Sequence, residues 1–340
     1  MATPNLTEIA TTTLRNRTGK LADNVTRNNA LLRRLSTKGK IKPVDGGRTI
    51  IQELEWDNNL TYKRYSGYEL LNISPSEVFS AAEFNYAQAA VAISISGLEQ
   101  LQNSGKEAII NLLESRIGNG ERTFRNMLSY DLYSDGTADG SKQIGGLSLL
   151  VAADPTTGTV GGIDRSNASF AFWRNIRYRC VTDGGAAMTS ANIQRYMNSL
   201  WVQLVRGPDR PDLIIADNTA WRVYLESLQA IQRIQTENTG QIGFQSLKYM
   251  DADVVLDGGF QGVSGAPSGY STGGVASVSS STMFFLNTDY IHFRPHKDRN
   301  MVPLDPERFA VNQDAMIKLL GFAGNMTLSN AFLQGVLNNT

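Results

Sequence analysis

The sequence predicts an α+β chain made of extended parts, and three observations carry that prediction. Residues 106–136 hold helical apolar spacing over about 30 positions, long for a globular helix. Residues 45–76 look like a projecting hairpin set with tyrosines. After residue 187, short apolar strands alternate with capped helices, the pattern of a mixed lobe.

The elements follow in order. Residues 4–38 read as a helical arm with a thin stripe of Leu14, Leu21, Val25, Leu31, Leu32 and Leu35. That stripe is too small to fold alone, so the arm needs another surface to lie on. Strand-like runs at 48–56 and 61–71 flank the turn signal Asp57-Asn58-Asn59, with Gly46-Gly47 as a hinge at the base. A lone hairpin is marginal in water, so this one either pairs with its own sheet or projects and is stabilised by a neighbouring molecule. This one carries Trp56, Tyr62, Lys63, Arg64, Tyr65 and Tyr68, a mixture that protein interfaces favour. One or two strands follow in 76–100, where Val91, Ile93 and Ile95 alternate with small residues.

The long helix puts Ile109, Leu112, Leu113, Ile117, Phe124, Met127, Leu128 and Leu132 on one side. Gly118 and Gly120 each cost about 1 kcal/mol against alanine. Burial of each large apolar side chain returns roughly 1.5–3 kcal/mol, so a continuous helix is expected. Its glycines then mark a bend or a close backbone approach, and Asp135-Gly136 supplies the stop. Residues 137–187 read as loops and short strands. Beyond them come a helix at 189–206 capped by Thr189 or Ser190, a strand into a capped helix from 211, a strand near 253, and a Gly/Ser-rich loop at 262–281. A strand follows at 282–298, and two strand-like runs lie around Gly321–Asn325.

The totals exclude several classes. The 340 residues suffice for two lobes, and 41% hydrophobic content argues for a folded chain. Basic and acidic residues balance at 32 each, so bulk charge gives no argument for nucleic acid or membrane. The distribution is uneven: Arg15, Arg17, Lys20, Arg27, Arg33, Arg34, Lys38, Lys40 and Lys42 face only Glu8 and Asp23 in residues 1–42. Such an end either touches something negative or is a solvated helix face. A single cysteine, Cys180, permits no internal disulfide and no cysteine zinc site. No signal peptide precedes the Asn-x-Ser/Thr triplets, no apolar run is long enough to span a membrane, and no internal repeat is present.

Catalytic patterns are weak. Gly269-Tyr270-Ser271-Thr272-Gly273 matches the serine-hydrolase elbow, which needs a strand before it and a helix after it; here both flanks are Gly/Ser filler. His292 and His296, the only histidines, have a helical metal spacing, but Pro295 and the strand-like surroundings oppose it. Asp135, Asp139, Asp154 and Asp164 read as turn residues rather than a calcium loop. Phosphate-loop and dinucleotide fingerprints are missing. Arg177 and Arg179 could lower the Cys180 pKa, but a buried structural thiol fits better. No enzyme, cofactor or metal is expected.

An arm that cannot fold alone, a projecting hairpin and a long rod suit a subunit whose surfaces neighbours cover. In this order the chain resembles tailed-bacteriophage major capsid proteins of the Hong Kong 97 fold. The phrases that carry the resemblance are "NNALLRRLSTKGK", "YSGYELLNISPSEVFSAAEFNYAQAAVAISISG", "GKEAIINLLESRI", "DLYSDGT", "IGGL", "GTVGGIDRS" and "FWRN". The C-terminal half matches by element order.

The resemblance implies an N-terminal arm at 1–44 and an extended hairpin loop at 45–76 that overlaps a neighbour. It implies a peripheral domain at 77–187 and 299–340 with a spine helix at 106–136, and an axial domain at 188–298. The spine would brace a thin curved shell wall, with Ile109, Leu113, Ile117, Phe124, Leu128 and Leu132 as its core side. The implied function is self-assembly, as hexamers and pentamers, of the icosahedral shell around phage double-stranded DNA. That shell would form in the bacterial host cytoplasm. Implied partners are copies of itself, a separate scaffolding protein, a portal protein, a decoration protein and non-specifically contacted DNA. Some relatives carry a cleaved scaffolding segment of roughly a hundred residues; here the pattern starts at once, and Met1 favours a separate scaffold. Lys63 lies where some relatives crosslink, but no crosslink is expected from sequence. Alternatives are an encapsulin-like compartment and a serine hydrolase using Ser271.

Overall fold

The computed structural model describes residues 29–56, 59, 61–74, 78–102, 106–229, 246–257, 281–309 and 315–340. The chain enters through α1 (Ala30–Thr37). Asn29 caps this helix, its side-chain oxygen accepting from Leu32 N, and Ala30, Leu31, Leu32 and Leu35 are all buried. The described end of the expected arm, from Asn29, is therefore a strap seated in the core. Its continuation bridges to a later strand at Ile41–Phe293 and Val44–His296.

β1 (Ile50–Glu55) pairs antiparallel with β2 (Phe79–Phe84). This corrects the expected hairpin. Residues 61–71 form no strand; they belong to a long loop joining the two strands. The segment lacks apolar alternation, Gly67 takes φ +56, and β2 occupies the pairing edge of β1.

β3 (Ala87–Ser96) runs into the short α2 (Gly97–Gln102) and then the spine, α3 (Lys106–Asp131). The 26 residues of α3 make a continuous rod of about 39 Å through both glycines. A Cβ on Gly120 would lie 3.2 Å from Ile93 Cγ1, so this glycine marks the close approach of rod and strand. Gly118 faces open space. The helix stops at Asp131, not at Gly136. A short α4 (Leu147–Leu150) docks there, with Leu147 N donating to the Leu132 carbonyl over 2.8 Å. Gly146 touches the same backbone, where a Cβ would meet Asp131 O at 2.5 Å.

β4 (Thr159–Val160) and β5 (Ile163–Asp164) form a small hairpin, followed by a 3₁₀ turn at Ala168–Trp173 and by β6 (Ile176–Arg179). Next come α5 (Ile193–Leu204), β7 (Leu213–Ala216), α6 (Asn218–Gln229), β8 (Ser246–Tyr249), β9 (Ala252–Leu256) and β10 (Met283–Leu286). The chain closes with β11 (Ile291–Phe309), β12 (Ala315–Leu328) and β13 (Gly335–Asn338). Asn192, not Thr189 or Ser190, begins α5; its side-chain oxygen is taken by Thr189 N. Asp217 caps α6 by accepting from Ala220 N over 2.8 Å.

A six-stranded sheet has the order β6-β13-β10-β7-β9-β8, and a three-stranded sheet the order β11-β12-β3. Two expectations change. The run expected as one strand at 282–298 breaks at Asn287–Tyr290, while the two runs around Gly321–Asn325 are one strand, β12. Its glycines allow close packing: a Cβ on Gly324 would sit 2.7 Å from Arg294 O. β11 runs through residue 298, and β6 and β13, from outside residues 188–298, complete the six-stranded sheet. Two cores result. Phe124, Phe293 and Phe322 lie in the one that includes the spine. Tyr196, Trp201, Tyr224 and Tyr249 lie in the one against α5 and α6.

Candidate assembly surface

The β1–β2 ribbon has one buried face and one bare face. Ile50, Gln52, Leu54, Ala82 and Phe84 point into the body. Gln52 Oε1 accepts from Arg294 Nη2 at 3.1 Å and from Thr327 Oγ1 at 3.2 Å, and Glu83 N donates to Gly161 O at 2.9 Å. Gly161 takes φ +59, and a Cβ there would meet the Ala82 Cβ at 2.7 Å. Trp56 stacks near Phe172, with ring centroids 5.6 Å apart. Trp56 thus touches the body at the loop base and is 38% exposed, less than the tyrosines it was grouped with.

The loop beyond carries large side chains into solvent. Tyr62, Tyr65 and Tyr68 are exposed, Tyr68 wholly so, and so are Leu70 and Ile73. Local polar bonds shape the segment. Asn59 Oδ1 accepts from Thr61 N and Oγ1, Asn72 Oδ1 accepts from Ser74 N, and Lys63 Nζ meets Glu69 Oε2 at 3.1 Å. Exposing this much aromatic and aliphatic surface is costly in a monomer.

The strap uses its charges differently. Arg34 binds Asp212 at 2.8 Å and Asp253 at 3.5 Å, Lys38 binds Asp212 at 3.2 Å and Asp289 at 2.8 Å, and Lys40 reaches Asp289 at 3.8 Å. Burial alone would raise the Asp212 pKa, but the Thr288 N–H, Arg34 and Lys38 hold it below the usual carboxylate value. Three of the expected basic-arm residues are thus committed to the chain's own carboxylates. Arg33 and Lys42 make no ion pair among the described residues, and Arg15, Arg17, Lys20 and Arg27 lie outside them.

On the spine, Ile117, Phe124 and Leu128 are buried, and so is Leu132 just past its end; the side chains of Ile109 and Leu113 lie outside the described residues. Sequence reasoning passed over Arg165, which is fully buried. Its guanidinium donates to the carbonyls of Trp173, Leu149 and Leu150 at 3.0, 3.0 and 2.6 Å. Trp173 Nε1 donates to Val160 O at 2.9 Å. The phrases "GTVGGIDRS" and "FWRN" are therefore one knot.

Ser271 lies outside the described residues. Burial pushes the Cys180 thiol up to about 11 and lowers His292 to about 4, the latter helped by Arg294, Lys40 and Lys42. Among the described residues no cluster of three metal-ligating side chains occurs, and no helix is long and apolar enough to cross a membrane. A cavity of about 380 Å³ beside α4 is lined by Leu149, Val151, Val160, Phe284 and Val336, with Arg165 at its wall already bonded to three carbonyls.

No protein-family model matches the chain, and no curated protein does. Solved structures do match. The subunit in the capsid asymmetric unit of cyanophage A-1(L) aligns over 88% of this chain and 90% of its own, with a TM-score of 0.61 at 14% identity. The chain has a phage capsid fold. The same capsid fold is similar to the capsid of Myoviridae phage XM1, with a TM-score of 0.50 at 11% identity over 90% of this chain and 92% of that one. A Mycobacterium phage Ogopogo structure aligns at 0.51 and 10% identity, over 92% and 93%. The α+β class fits the capsid fold. The identity is so low that packing pattern, not residue identity, carries the likeness.

Proposed function

We propose that this chain is a major capsid protein. Many copies assemble as hexamers and pentamers into the icosahedral shell that encloses phage double-stranded DNA. The observation that carries the proposal is the exposed loop: Tyr62, Tyr65, Tyr68, Leu70 and Ile73 stand in solvent on a ribbon anchored firmly to the body. A neighbouring copy covers them. In this reading the spine and the three-stranded sheet form the peripheral part, and the six-stranded sheet with α5 and α6 forms the axial part. Residues 1–28 hold four basic residues, Arg15, Arg17, Lys20 and Arg27, and meet DNA phosphates, an acidic scaffold or a neighbour. A scaffolding protein, a portal and a decoration protein complete the particle, which is assembled in the host cytoplasm. No reaction is assigned to the chain.

Electron microscopy of the expressed protein tests the proposal, and hollow shells are the expected result. The double substitution Tyr62→Asp, Tyr65→Asp leaves the circular dichroism spectrum unchanged and abolishes shells. Normal particles from that variant, or a stable monomer from the unaltered chain, would overturn the proposal. Nucleic acid extracted from particles made during infection separates a DNA shell from a protein-filled compartment.

A further inference from the structure

The bare face of the ribbon is as distinctive as the loop. The register places Ile51 opposite Glu83, Glu53 opposite Ala81 and Glu55 opposite Phe79 on this face. Each of three successive rungs therefore carries one carboxylate and one apolar or small residue. Ile51 and Phe79 are 59% and 75% exposed, so the chain's own loop does not cover them. Glu53, Glu55 and Glu83 have no ion-pair partner among the described residues, although neighbouring backbone positions on this face are only about 7 Å apart. This face thus gathers three carboxylates with no cation paired to them among the described residues.

The loop is the complement. Its exposed stretch holds Tyr62, Arg64, Tyr65 and Tyr68, and Arg64 also has no ion-pair partner among the described residues. Lys63 is braced against Glu69, which leaves the Arg64 guanidinium as the available cation. Neither surface can pair with its own kind: carboxylates would face carboxylates, and arginine would face arginine. They can pair with each other.

We infer that the loop of one copy lies across the acidic face of the β1–β2 ribbon of the next. Arg64 then meets the carboxylates of Glu53, Glu55 and Glu83, and the tyrosines pack on Ile51 and Phe79. This deepens the shell reading and rests on it, by naming the receiving surface and the pairing. Made head to tail, such a contact is heterologous and passes from copy to copy, into a ring where the rotation closes.

Charge reversal tests it. Arg64→Glu alone, and Glu53→Lys with Glu55→Lys, should each cut particle yield about tenfold or more. All sites are exposed, and unchanged circular dichroism checks folding. Mixing the two reversed chains should restore association in sedimentation velocity, because each supplies the surface the other has lost. One chain carrying all three substitutions should likewise regain particles. Undiminished assembly of both reversed chains, or no recovery on mixing and combining, overturns the inference while unaltered particles leave the shell reading intact. Failure of the unaltered chain to form particles overturns the shell reading itself.

Discussion

Arg34 Nε donates to Asp212 Oδ2 over 2.8 Å, and through this pair the strap grips the sheet that the rest of the chain builds around β7. Asp212 also accepts from Thr288 N and Oγ1 at 2.7 and 2.8 Å, so one carboxylate joins α1, the start of β7 and the turn after β10. Both ion-pair side chains are about four-fifths buried, at 21% and 17% exposure.

Asp212→Ala should therefore destabilise the chain by about 2–4 kcal/mol, because Arg34, Lys38 and the Thr288 donors all lose their acceptor. Arg34→Gln should cost about 1–2 kcal/mol, since Lys38 still serves Asp212. Urea titration of the assembly-incompetent Tyr62→Asp, Tyr65→Asp chain measures both without interference from shells. Equal losses would mean that the carboxylate does not act as a shared hub.

The glycines of the spine region should respond in opposite directions. Gly118→Ala adds a methyl group to open space in a helix and should stabilise by about 1 kcal/mol. Gly146→Ala drives a Cβ to 2.5 Å from Asp131 O and 2.6 Å from Leu132 C, where only backbone can yield. A loss of about 2–4 kcal/mol is expected. Gly120→Ala falls between, because the helical gain competes with the Ile93 contact at 3.2 Å. Thermal melts of the three variants check the order.

What was legible in the sequence follows from the range of the forces involved. The spine showed because Ile117, Phe124, Leu128 and Leu132 repeat at helical spacing, a local signal. Its end was misplaced because Asp135-Gly136 looks like a stop, while the actual stop is imposed by Leu147 N and Gly146 from a later segment. The ribbon's first strand was legible. Its partner was not, since pairing of Ile50 with Phe84 across a long loop leaves no short-range mark. The loop's tyrosines were visible as unusual residues among charges, and the structure adds that they are exposed. The basic arm was seen as charge, but its acceptors Asp212, Asp253 and Asp289 are far away in sequence. Arg165 was missed because an arginine in a Gly/Asp/Ser-rich stretch reads as a solvated turn.

Arg165 supplies a further test. Burial lowers its pKa to about 10, so it remains charged at neutral pH, and its guanidinium is spent on three backbone carbonyls. Arg165→Met keeps the volume and removes the donors. The carbonyls of Leu149, Leu150 and Trp173 then lose their donors, at a cost of about 3–5 kcal/mol. Arg165→Lys should recover only part of that loss, because one ammonium cannot reproduce the planar fork. Denaturant midpoints of the two variants decide, and a neutral Met variant would show that water replaces the guanidinium.

Two buried groups should give the chain opposing acid responses. Burial raises Asp131 to about 6, with Asp139 adding and the Gln143 hydrogen bond opposing. Its folded value exceeds its unfolded one, so the native state binds the extra proton, and stability falls as pH rises from about 4 to about 6. His292 is lowered to about 4, chiefly by burial. Here the unfolded state binds the extra proton between about 4 and 6.5, so stability rises with pH over the same window. Each slope is worth about 1–2 kcal/mol once partial exposure is allowed for, and the two largely cancel. Asp131→Asn should unmask the histidine: stability climbs steeply from pH 4 to 6, and at pH 7 the variant exceeds the parent by about 1 kcal/mol. His292→Gln should unmask the aspartate and reverse the slope. Urea midpoints between pH 4 and 7 measure this, and parallel curves for the three proteins would refute it.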